Sequence, residues 1–236
     1  MYTERYEEWR HVFKLDPERE IDDASLERIC MSGTDAVMVG GSSGVTFENV
    51  VDLLARIRRY ELPCALEVSD LEAAVPGFDL YLIPMVLNTE RTEWLTGKQV
   101  EGLQAYGSYI PWESTAAEGY IILNAEAEVA RLTGASCELD TAAVLAHVRL
   151  ADRLMRLPIV YMEYSGRFGD MRLVSQAAEL LTQARLFYGG GIVDATQAAE
   201  AAAAAHTVIV GNIVYDDIEA ALTTVEAVRQ SAIAPI

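Results

Sequence analysis

The stretch RLFYGGGIVDATQAAEAAAAAHTVIVGNIVY, residues 185–215, indicates the fold of this chain. It has an apolar strand ending in Gly189, Gly190 and Gly191, then an alanine-rich helix, then a second apolar strand ending in Gly211-Asn212. Glycines after a strand let backbone N–H groups approach an anion, and a following helix adds the positive end of its dipole. In a (β/α)8 barrel, two such turns after strands seven and eight form a phosphate site. The alternative is that these glycines only make tight turns.

Length and charge limit the classes of protein that fit. The 236 residues are about half apolar, which predicts one large core and a single α/β barrel domain over residues 1–236. Acidic residues outnumber basic ones by 36 to 18, so the net charge of −18 would repel a nucleic-acid backbone. We therefore expect no nucleic-acid partner. An anionic substrate would have to be held by local positive groups, backbone amides or a metal ion.

Cysteine and histidine usage favours a cytoplasmic protein without a zinc site. Cys30, Cys64 and Cys137 are odd in number and widely spaced, as is typical of reduced structural thiols. The three histidines lie far apart and lack ligand-like spacing. The N-terminal residues are charged, and no run of about 18 apolar residues occurs, so we expect neither a signal peptide nor a membrane anchor.

The rest of the chain alternates between strand-like and helical segments. The other predicted strands are 10–15, 36–39, 64–68, 80–83, 118–123 and 159–164. The predicted helices are 23–31, 47–60, 92–106, 125–134, 141–156, 171–181 and 216–230, and the tail 232–236 is expected to be frayed. Together with residues 185–215, this order predicts a (β/α)8 barrel.

One connection is too short for a regular crossover helix. Only SDLEAAVPGFD, residues 69–79, separates strands three and four, and Pro76-Gly77 interrupts it. A missing helix would open an apolar slot in the outer ring that could house an elongated hydrophobic ligand. Alternatively, the loop 75–78 or a second subunit seals the edge.

Polar residues collect at the predicted strand ends, where the catalytic face of a barrel lies. They are Lys14, Asp16, Ser42, Glu67, Asn88, Tyr120, Asn124, Tyr161, Glu163, Tyr164 and Ser165. Side chains two residues apart on a strand point to the same side, so Lys14 and Asp16 act together as a phosphate ligand and a Mg²⁺ ligand, or form a local ion pair. Glu163 is either a general base or a structural carboxylate bonded to neighbouring tyrosines.

Eight segments, in their order and spacing, resemble a known family. They are HVFKLDP, GTDAVMVGGS, LEVS, VPGFDLYLIPMVLN, EGYIILN, YMEYSG, LFYGGGI and VIVGNIVYDD. These segments look like those of the bacterial heptaprenylglyceryl phosphate synthases, the PcrB branch of the geranylgeranylglyceryl phosphate synthase family. The likeness covers almost the whole chain apart from its two ends. It implies a modified TIM barrel that lacks a regular third helix, in agreement with the short connection.

The resemblance also implies a reaction and a set of site residues. A polyprenyl diphosphate would donate its prenyl group to the C3 hydroxyl of sn-glycerol 1-phosphate, leaving an ether link and pyrophosphate. Glu163 would take the hydroxyl proton, Tyr120 would face the allylic carbon, and Asp16 and Ser42 would bind Mg²⁺. The glycerol phosphate would be held by Lys14, Tyr161, Met162, Glu163, Tyr164, Ser165, Gly166, Gly191, Gly211 and Asn212.

Donor length is predicted from one helical glycine. In the family, a bulky residue on the helix after strand four can form the floor of the prenyl groove, and Gly102 occupies that place here. We therefore expect a deep groove and a C35 donor, with a C20 donor as the alternative. A homodimer and transient contact with a membrane surface are also expected from the resemblance. The rival interpretations are a phosphosugar isomerase or indole-type lyase barrel and a non-catalytic polyprenyl carrier.

Overall fold

The structure, a computed structural model, describes residues 6–231; the predicted frayed tail lies outside the described residues. Eight parallel strands form a closed barrel in sequence order, each paired with the next and the eighth paired with the first. The strands are β1 His11–Leu15, β2 Ala36–Val39, β3 Cys64–Glu67, β4 Leu80–Val86, β5 Thr115–Ile122, β6 Ile159–Glu163, β7 Arg185–Gly189 and β8 Thr207–Val210. The predicted barrel is therefore confirmed.

Helices connect most of the strands and form the outer layer. They are α1 Asp23–Cys30, α2 Phe47–Ile57, α3 Lys98–Tyr106, α4 Glu128–Thr133, α5 Thr141–Arg149, α6 Met171–Leu180, α7 Ala195–Ala204, α8 Ile213–Asp216 and α9 Ile218–Gln230. A π-helical segment, Glu93–Gly97, precedes α3, and another, Leu150–Met155, follows α5. Short 3₁₀ turns lie at Tyr6–Glu8 and Trp112–Ser114.

Local sequence explains where many helices begin. A side-chain oxygen accepts a hydrogen bond from a backbone N–H of the first turn at six of them, which satisfies a donor that has no partner within the helix. The capping residues are Asp22, Thr46, Asp140, Asp170, Asp194 and Asp217.

Alternation along the strands divides the core into two layers. Side chains that point into the barrel include Val12, Met38, Ala65, Leu82, Tyr161 and Phe187. Their neighbours point outward and pack under the helices; they include Phe13, Val37, Leu66, Val160 and Leu186. Successive residues of a strand face opposite sides, so each strand contributes to both layers.

The connection between β3 and β4 contains no helix, as predicted. Ala73, Val75 and Phe78 of this connection are buried in the outer core. The loop therefore covers part of the barrel edge where a helix would otherwise pack. In that part, the alternative that the loop seals the edge is confirmed.

Two boundaries differ from the prediction for identifiable reasons. β4 continues through Pro84 to Val86, whereas a strand ending at residue 83 was expected. The paired part of β3 ends opposite Leu82, so Pro84 lies where β4 has only β5 beside it, and a missing N–H is tolerated there. The final helix is divided into α8 and α9, because Asp217 has extended backbone angles and caps a new helix.

The cysteines and histidines are used structurally. All three cysteines are free thiols, and Cys30 and Cys64 are buried. His11 hydrogen-bonds the hydroxyls of Thr34 and Thr224, and burial lowers its pKa to about 3. Across residues 6–231, none of the helices has the length and apolar character needed to span a bilayer.

Candidate active site

The predicted polar residues converge on one end of the barrel, where the eight strands finish. Lys14 lies on β1, Tyr120 on β5 and Glu163 at the end of β6, and all three share the interior with Glu67 at the end of β3. Parallel strands bring their carboxyl ends to one rim, so residues that are far apart in sequence become neighbours.

Lys14 is held by a carboxylate inside this rim. Its Nζ donates a 2.5 Å hydrogen bond to Oε2 of Glu67, and it lies 5.8 Å from the centre of the Tyr161 ring. Burial alone would lower the pKa of Lys14, but the carboxylates of Glu67 and Glu163 outweigh burial and raise it. Lys14 is therefore an ammonium group at neutral pH. The alternative of a local ion pair between Lys14 and Asp16 is therefore wrong, because the ammonium group pairs with Glu67 across the barrel.

Glu163 is almost fully buried, and its carboxylate accepts three hydrogen bonds. Its Oε2 accepts from the Tyr120 hydroxyl at 2.8 Å, and its Oε1 accepts from the Ser165 backbone N–H at 2.5 Å and the Ser165 hydroxyl at 2.7 Å. Burial raises the pKa of Glu163, while the charge of Lys14 and these hydrogen bonds oppose the rise. A buried carboxylate with a raised pKa suits proton abstraction near neutral pH.

Two stacked tyrosines line the interior beside this carboxylate. The rings of Tyr120 and Tyr161 are 4.6 Å apart with an interplanar angle of 22°. Burial raises the pKa of both phenols well above the ordinary value, so both remain neutral. Electron-rich ring faces of this kind attract a nearby positive charge.

The glycine turn after β7 packs closely against the loop that follows β6. A Cβ at Gly191, where φ is +56°, would lie 2.3 Å from backbone atoms of Arg167 and Phe168. A Cβ at Gly190 would lie 2.4 Å from the Cβ of Tyr164. Close packing therefore accounts for these two glycines, which supports the tight-turn alternative for this turn without excluding a ligand at its open side.

The turn after β8 differs because none of the described residues crowds it. A Cβ at Gly211 would come no closer than 3.8 Å to the backbone oxygen of Lys14 and 3.9 Å to its Cβ. Packing therefore does not require glycine at this position. Asn212 follows, and its Oδ1 accepts a hydrogen bond from Arg19 at 3.2 Å. The short helix α8 then begins, in the place where barrel phosphate sites often have an extra helix.

Asp16 lies against the turn after β2, which carries Ser42. A Cβ on Gly41 would lie 2.5 Å from Oδ1 of Asp16, so the backbone next to Ser42 lies directly against this carboxylate. Burial raises the pKa of Asp16. Within residues 6–231, no group of three or more histidine, cysteine or acidic side chains is arranged to hold a metal. One carboxylate and one hydroxyl fit a Mg²⁺ ion that takes its remaining ligands from substrate phosphates and water.

The run 161–166 is divided between the inside and the outside of the barrel. The side chains of Met162 and Tyr164 lie in the outer core, and the ring of Tyr164 lies 6.0 Å from that of Tyr188. Only Tyr161, Glu163 and residues beyond the strand end can therefore present side chains to the interior. Gly166, with φ of +80°, has open space around its Cβ position.

The asparagines that follow β4 and β5 donate hydrogen bonds to backbone oxygens of neighbouring segments. Nδ2 of Asn88 donates to the backbone oxygens of Ile122 and Ser136, at 2.8 and 3.0 Å. Nδ2 of Asn124 donates to the Ser165 oxygen at 2.6 Å. Both amides hold the rim in shape.

Gly102 is the only buried residue of α3. A Cβ at this position would lie 2.9 Å from Cδ2 of Leu71, which belongs to the helix-free β3–β4 connection. The glycine of α3 and the connection are therefore in contact at the predicted slot.

Glu118 is a residue that the sequence did not single out. It is fully buried inside the barrel on β5, and neither carboxyl oxygen has a hydrogen-bond partner among the described residues. Burial raises the pKa of Glu118 well above its ordinary value, and the negative charge of Glu67 acts in the same direction. The available signal is an acidic residue within an otherwise mostly apolar strand, TAAEGYII, which begins at Thr115 and not at Glu118 as the sequence pattern predicts.

Comparison with known proteins identifies the family of this chain. The sequence profile of the PcrB family matches residues 4–229. The chain belongs to the PcrB family. A PcrB-type relative, the heptaprenylglyceryl phosphate synthase of Bacillus thuringiensis (strain Al Hakam), is 57% identical over 221 residues, which cover 94% of this chain and 96% of the relative. The heptaprenylglyceryl phosphate synthase of Bacillus anthracis matches to the same extent.

Solved structures support the fold of this PcrB-family chain. The (S)-3-O-geranylgeranylglyceryl phosphate synthase of Thermoplasma acidophilum, solved in complex with its substrate sn-glycerol 1-phosphate, superposes with a TM-score of 0.82 at 23% identity. The superposition covers 94% of both chains. The wild-type enzyme of Thermoplasma volcanium gives a TM-score of 0.78 at 22% identity, over 93% of this chain and 91% of the other.

Proposed function

We propose that this chain transfers the heptaprenyl (C35) group of heptaprenyl diphosphate to the C3 hydroxyl of sn-glycerol 1-phosphate. The observation that carries this proposal is the high identity, over nearly the full length, to Bacillus heptaprenylglyceryl phosphate synthases. The new bond joins the C3 oxygen to C1 of the prenyl chain, the bond from C1 to the diphosphate oxygen breaks, and pyrophosphate leaves. Residues 1–236 act as one catalytic domain.

The acceptor is bound at the rim around β1, β6, β7 and β8. The Lys14 ammonium group contacts the phosphate, and the open space beside Gly211 lets that phosphate approach the backbone. Gly191 and Asn212 contribute from the two turns, and Tyr161, Glu163 and the turn beyond β6 enclose the glycerol. Backbone amides and one lysine are enough to hold an anion on a chain of net charge −18.

The donor diphosphate lies next to Asp16 and Ser42. These residues would hold Mg²⁺, which would supply positive charge to neutralise the diphosphate leaving group. The Asp16 carboxylate is kept in place by the backbone N–H of Glu18, which donates to Oδ1 at 3.0 Å. The stacked rings of Tyr120 and Tyr161 face the allylic carbon and stabilise the positive charge that develops as the C–O bond breaks.

Glu163 is the general base. The donors from Ser165 and Tyr120 orient its carboxylate, and burial keeps its pKa high enough to accept the hydroxyl proton. The proton of the C3 hydroxyl passes to Glu163 as the ether bond forms. The same donors fit a purely structural carboxylate, so mutation has to decide between the two roles.

The prenyl chain extends through the slot beside the β3–β4 connection. Because Gly102 has no side chain, it leaves space on the surface of α3 that the side chain of Leu71 occupies, and a long donor would displace that side chain. A C20 donor is the alternative. We further propose a cytoplasmic homodimer that collects its lipid substrate by transient contact with a membrane surface.

A turnover assay tests the reaction. The purified protein is incubated with radiolabelled sn-glycerol 1-phosphate, Mg²⁺ and separate C20, C25, C30 and C35 diphosphates, with sn-glycerol 3-phosphate as the acceptor control. We expect organic-extractable label that is greatest with C35. A C20 optimum would retain the reaction and reject the deep groove. No transfer with any donor would refute the assignment.

Substitution of the base separates an enzyme from a polyprenyl carrier. Glu163→Gln should lower kcat by at least about a hundredfold, the usual contribution of a general base, while the donor still binds. Glu126→Gln is the matched control because Glu126 is exposed just beyond β5. If Glu163→Gln turned over like the wild type, the carboxylate would be structural.

A further inference from the structure

Glu118 is anomalous for a residue inside a barrel. The interior layers of such barrels are filled mainly by branched apolar side chains. Glu118 is completely buried, yet neither of its carboxyl oxygens has a protein partner within residues 6–231. A buried ionised carboxylate without a partner is strongly unfavourable, so the group persists either because it is neutral or because a ligand-bound state uses it.

The strand register places Glu118 in one layer with Lys14 and Glu67. Lys14 on β1 pairs with Met38 on β2, and Met38 pairs with Ala65 on β3, which lies two residues before Glu67. In the same way, Glu67 pairs with Leu82 on β4, and Leu82 pairs with Ala116 on β5, which lies two residues before Glu118. In a barrel of eight strands with a shear of about eight, the register shifts by one residue from each strand to the next. Residues on every second strand that are offset by two positions from the paired residue therefore lie at the same height and share a layer.

This layer contains one ammonium group and more than one acid. Lys14 donates to Oε2 of Glu67, while Oε1 of Glu67 has no partner in the described part of the chain. Glu163 faces the same group from β6, and the phenols of Tyr161 and Tyr120 complete the surroundings. Burial raises the pKa of Glu118, and the negative charges of Glu67 and Glu163 raise it further, against the opposing effect of Lys14. Burial and these charges therefore favour the uncharged carboxylic acid form of Glu118, which carries one O–H donor.

We propose, on the basis of the function proposed above, that Glu118 is a positioning residue for the acceptor phosphate. When the phosphate arrives, the ammonium group of Lys14 turns from Glu67 towards it. The Glu118 hydroxyl then donates to the Glu67 carboxylate, which would otherwise be left buried and without a partner. Glu118 thereby weakens the competition between Glu67 and the phosphate for Lys14. No proton is transferred and no covalent bond changes.

Substitutions can separate the hydrogen-bond donor of Glu118 from the volume of its side chain. Glu118→Gln keeps an uncharged donor of the same size, whereas Glu118→Leu keeps only the volume. Glu113→Gln removes an exposed glutamate just before β5 and serves as the control for charge. Each purified variant is examined by calorimetric titration with sn-glycerol 1-phosphate, by steady-state kinetics and by thermal unfolding.

We expect Glu118→Leu to weaken sn-glycerol 1-phosphate binding by about tenfold, because one hydrogen bond to a charged group is lost. The KM for the acceptor should rise to match, with kcat changed little. Glu118→Gln should bind within about twofold of the wild type because the amide also donates. The unfolding midpoint of Glu118→Leu should stay the same or rise, because an apolar group replaces an unpartnered buried acid.

If Glu118→Leu bound sn-glycerol 1-phosphate as tightly as the wild type, the inference would be overturned. It would also be overturned if Glu118→Gln lost as much affinity for sn-glycerol 1-phosphate as Glu118→Leu. If Glu118→Leu does not fold, Glu118→Met provides the same loss of polarity with a more adaptable side chain. Binding of sn-glycerol 1-phosphate without prenyl transfer in the wild type would refute the proposed reaction and still test Glu118. A wild type that binds no sn-glycerol 1-phosphate would overturn both.

Discussion

Tyr120 donates a 2.8 Å hydrogen bond to Oε2 of Glu163, and both side chains are buried inside the barrel. Tyr120 also stacks on Tyr161, so one ring links the candidate base to the aromatic surface. The proposed proton acceptor and the ring proposed to face the allylic carbon are therefore held in one fixed arrangement.

The pH dependence of turnover should report this hydrogen bond. Burial raises the pKa of Glu163, and the Tyr120 hydroxyl is one of the groups that oppose the rise. A base has to be ionised, so turnover should increase as pH rises through this pKa. In Tyr120→Phe the pKa should be higher, and the acidic limb of kcat should move upward by about one pH unit. Tyr60→Phe, which lies outside the site, is the control, and an unmoved limb in Tyr120→Phe would contradict the role.

Metal dependence should be localised to Asp16. Chelation of divalent ions should abolish transfer, and added Mg²⁺ should restore it. In Asp16→Asn, the Mg²⁺ concentration for half-maximal rate should rise by at least about tenfold, because ligand charge governs the affinity of such sites. Asp52→Asn removes an exposed carboxylate and should titrate like the wild type. An identical Mg²⁺ requirement in Asp16→Asn would argue against this ligand.

Donor length should depend on the contact between α3 and the β3–β4 connection. An indole at position 102 would occupy the space of Leu71, whose Cδ2 already lies 2.9 Å from where a Cβ would be placed. Gly102→Trp should therefore lower the ratio of C35 to C20 transfer by at least about tenfold, as expected for a filled pocket. Val100→Trp is the matched control, because Val100 is exposed on the same helix. A preference that stays at C35 in Gly102→Trp would refute the groove.

Asp152 should matter for stability and not for chemistry. It is fully buried, and it accepts hydrogen bonds from Thr182, Gln183 and Ala184 in the turn before β7. These hydrogen bonds outweigh burial and lower its pKa. Its contribution is thus fully present above the unfolded-state pKa of about 3.9 and is lost as pH falls through the lower folded-state value.

Asp152→Ala should lower the free energy of unfolding at pH 7 by about 3 kcal/mol, as expected when a charged hydrogen-bond acceptor is removed. The difference from the wild type should begin to shrink below about pH 4, where the unfolded-state carboxyl becomes protonated, and should be smallest below the lower folded-state pKa. Denaturant unfolding at several pH values measures it, with Asp52→Asn as the exposed control. A difference that did not change with pH would show that the charge of Asp152 is unimportant.

Much of the barrel and its rim could be predicted because the relevant signals are local. Alternation of apolar residues, capping aspartates and glycine turns act over a few residues, so they can be recognised in the chain itself. The shortness of residues 69–79 was sufficient to predict a missing helix. Strand boundaries were less predictable, since Pro84 is tolerated in β4 only because β3 has already ended beside it.

What the sequence alone determined was therefore the order of elements, the rim on which polar residues gather, and the family resemblance carried by motifs such as YMEYSG. The tertiary structure decided which of these groups meet. Lys14 pairs with Glu67, 53 residues away, rather than with Asp16 nearby, and Gly102 contacts Leu71 across the slot. The importance of Glu118 is visible only in the closed barrel, which places it in a buried layer with Lys14 and Glu67. Strand tilt and register bring distant residues into one layer, and burial in that layer determines their charge, which no local pattern encodes.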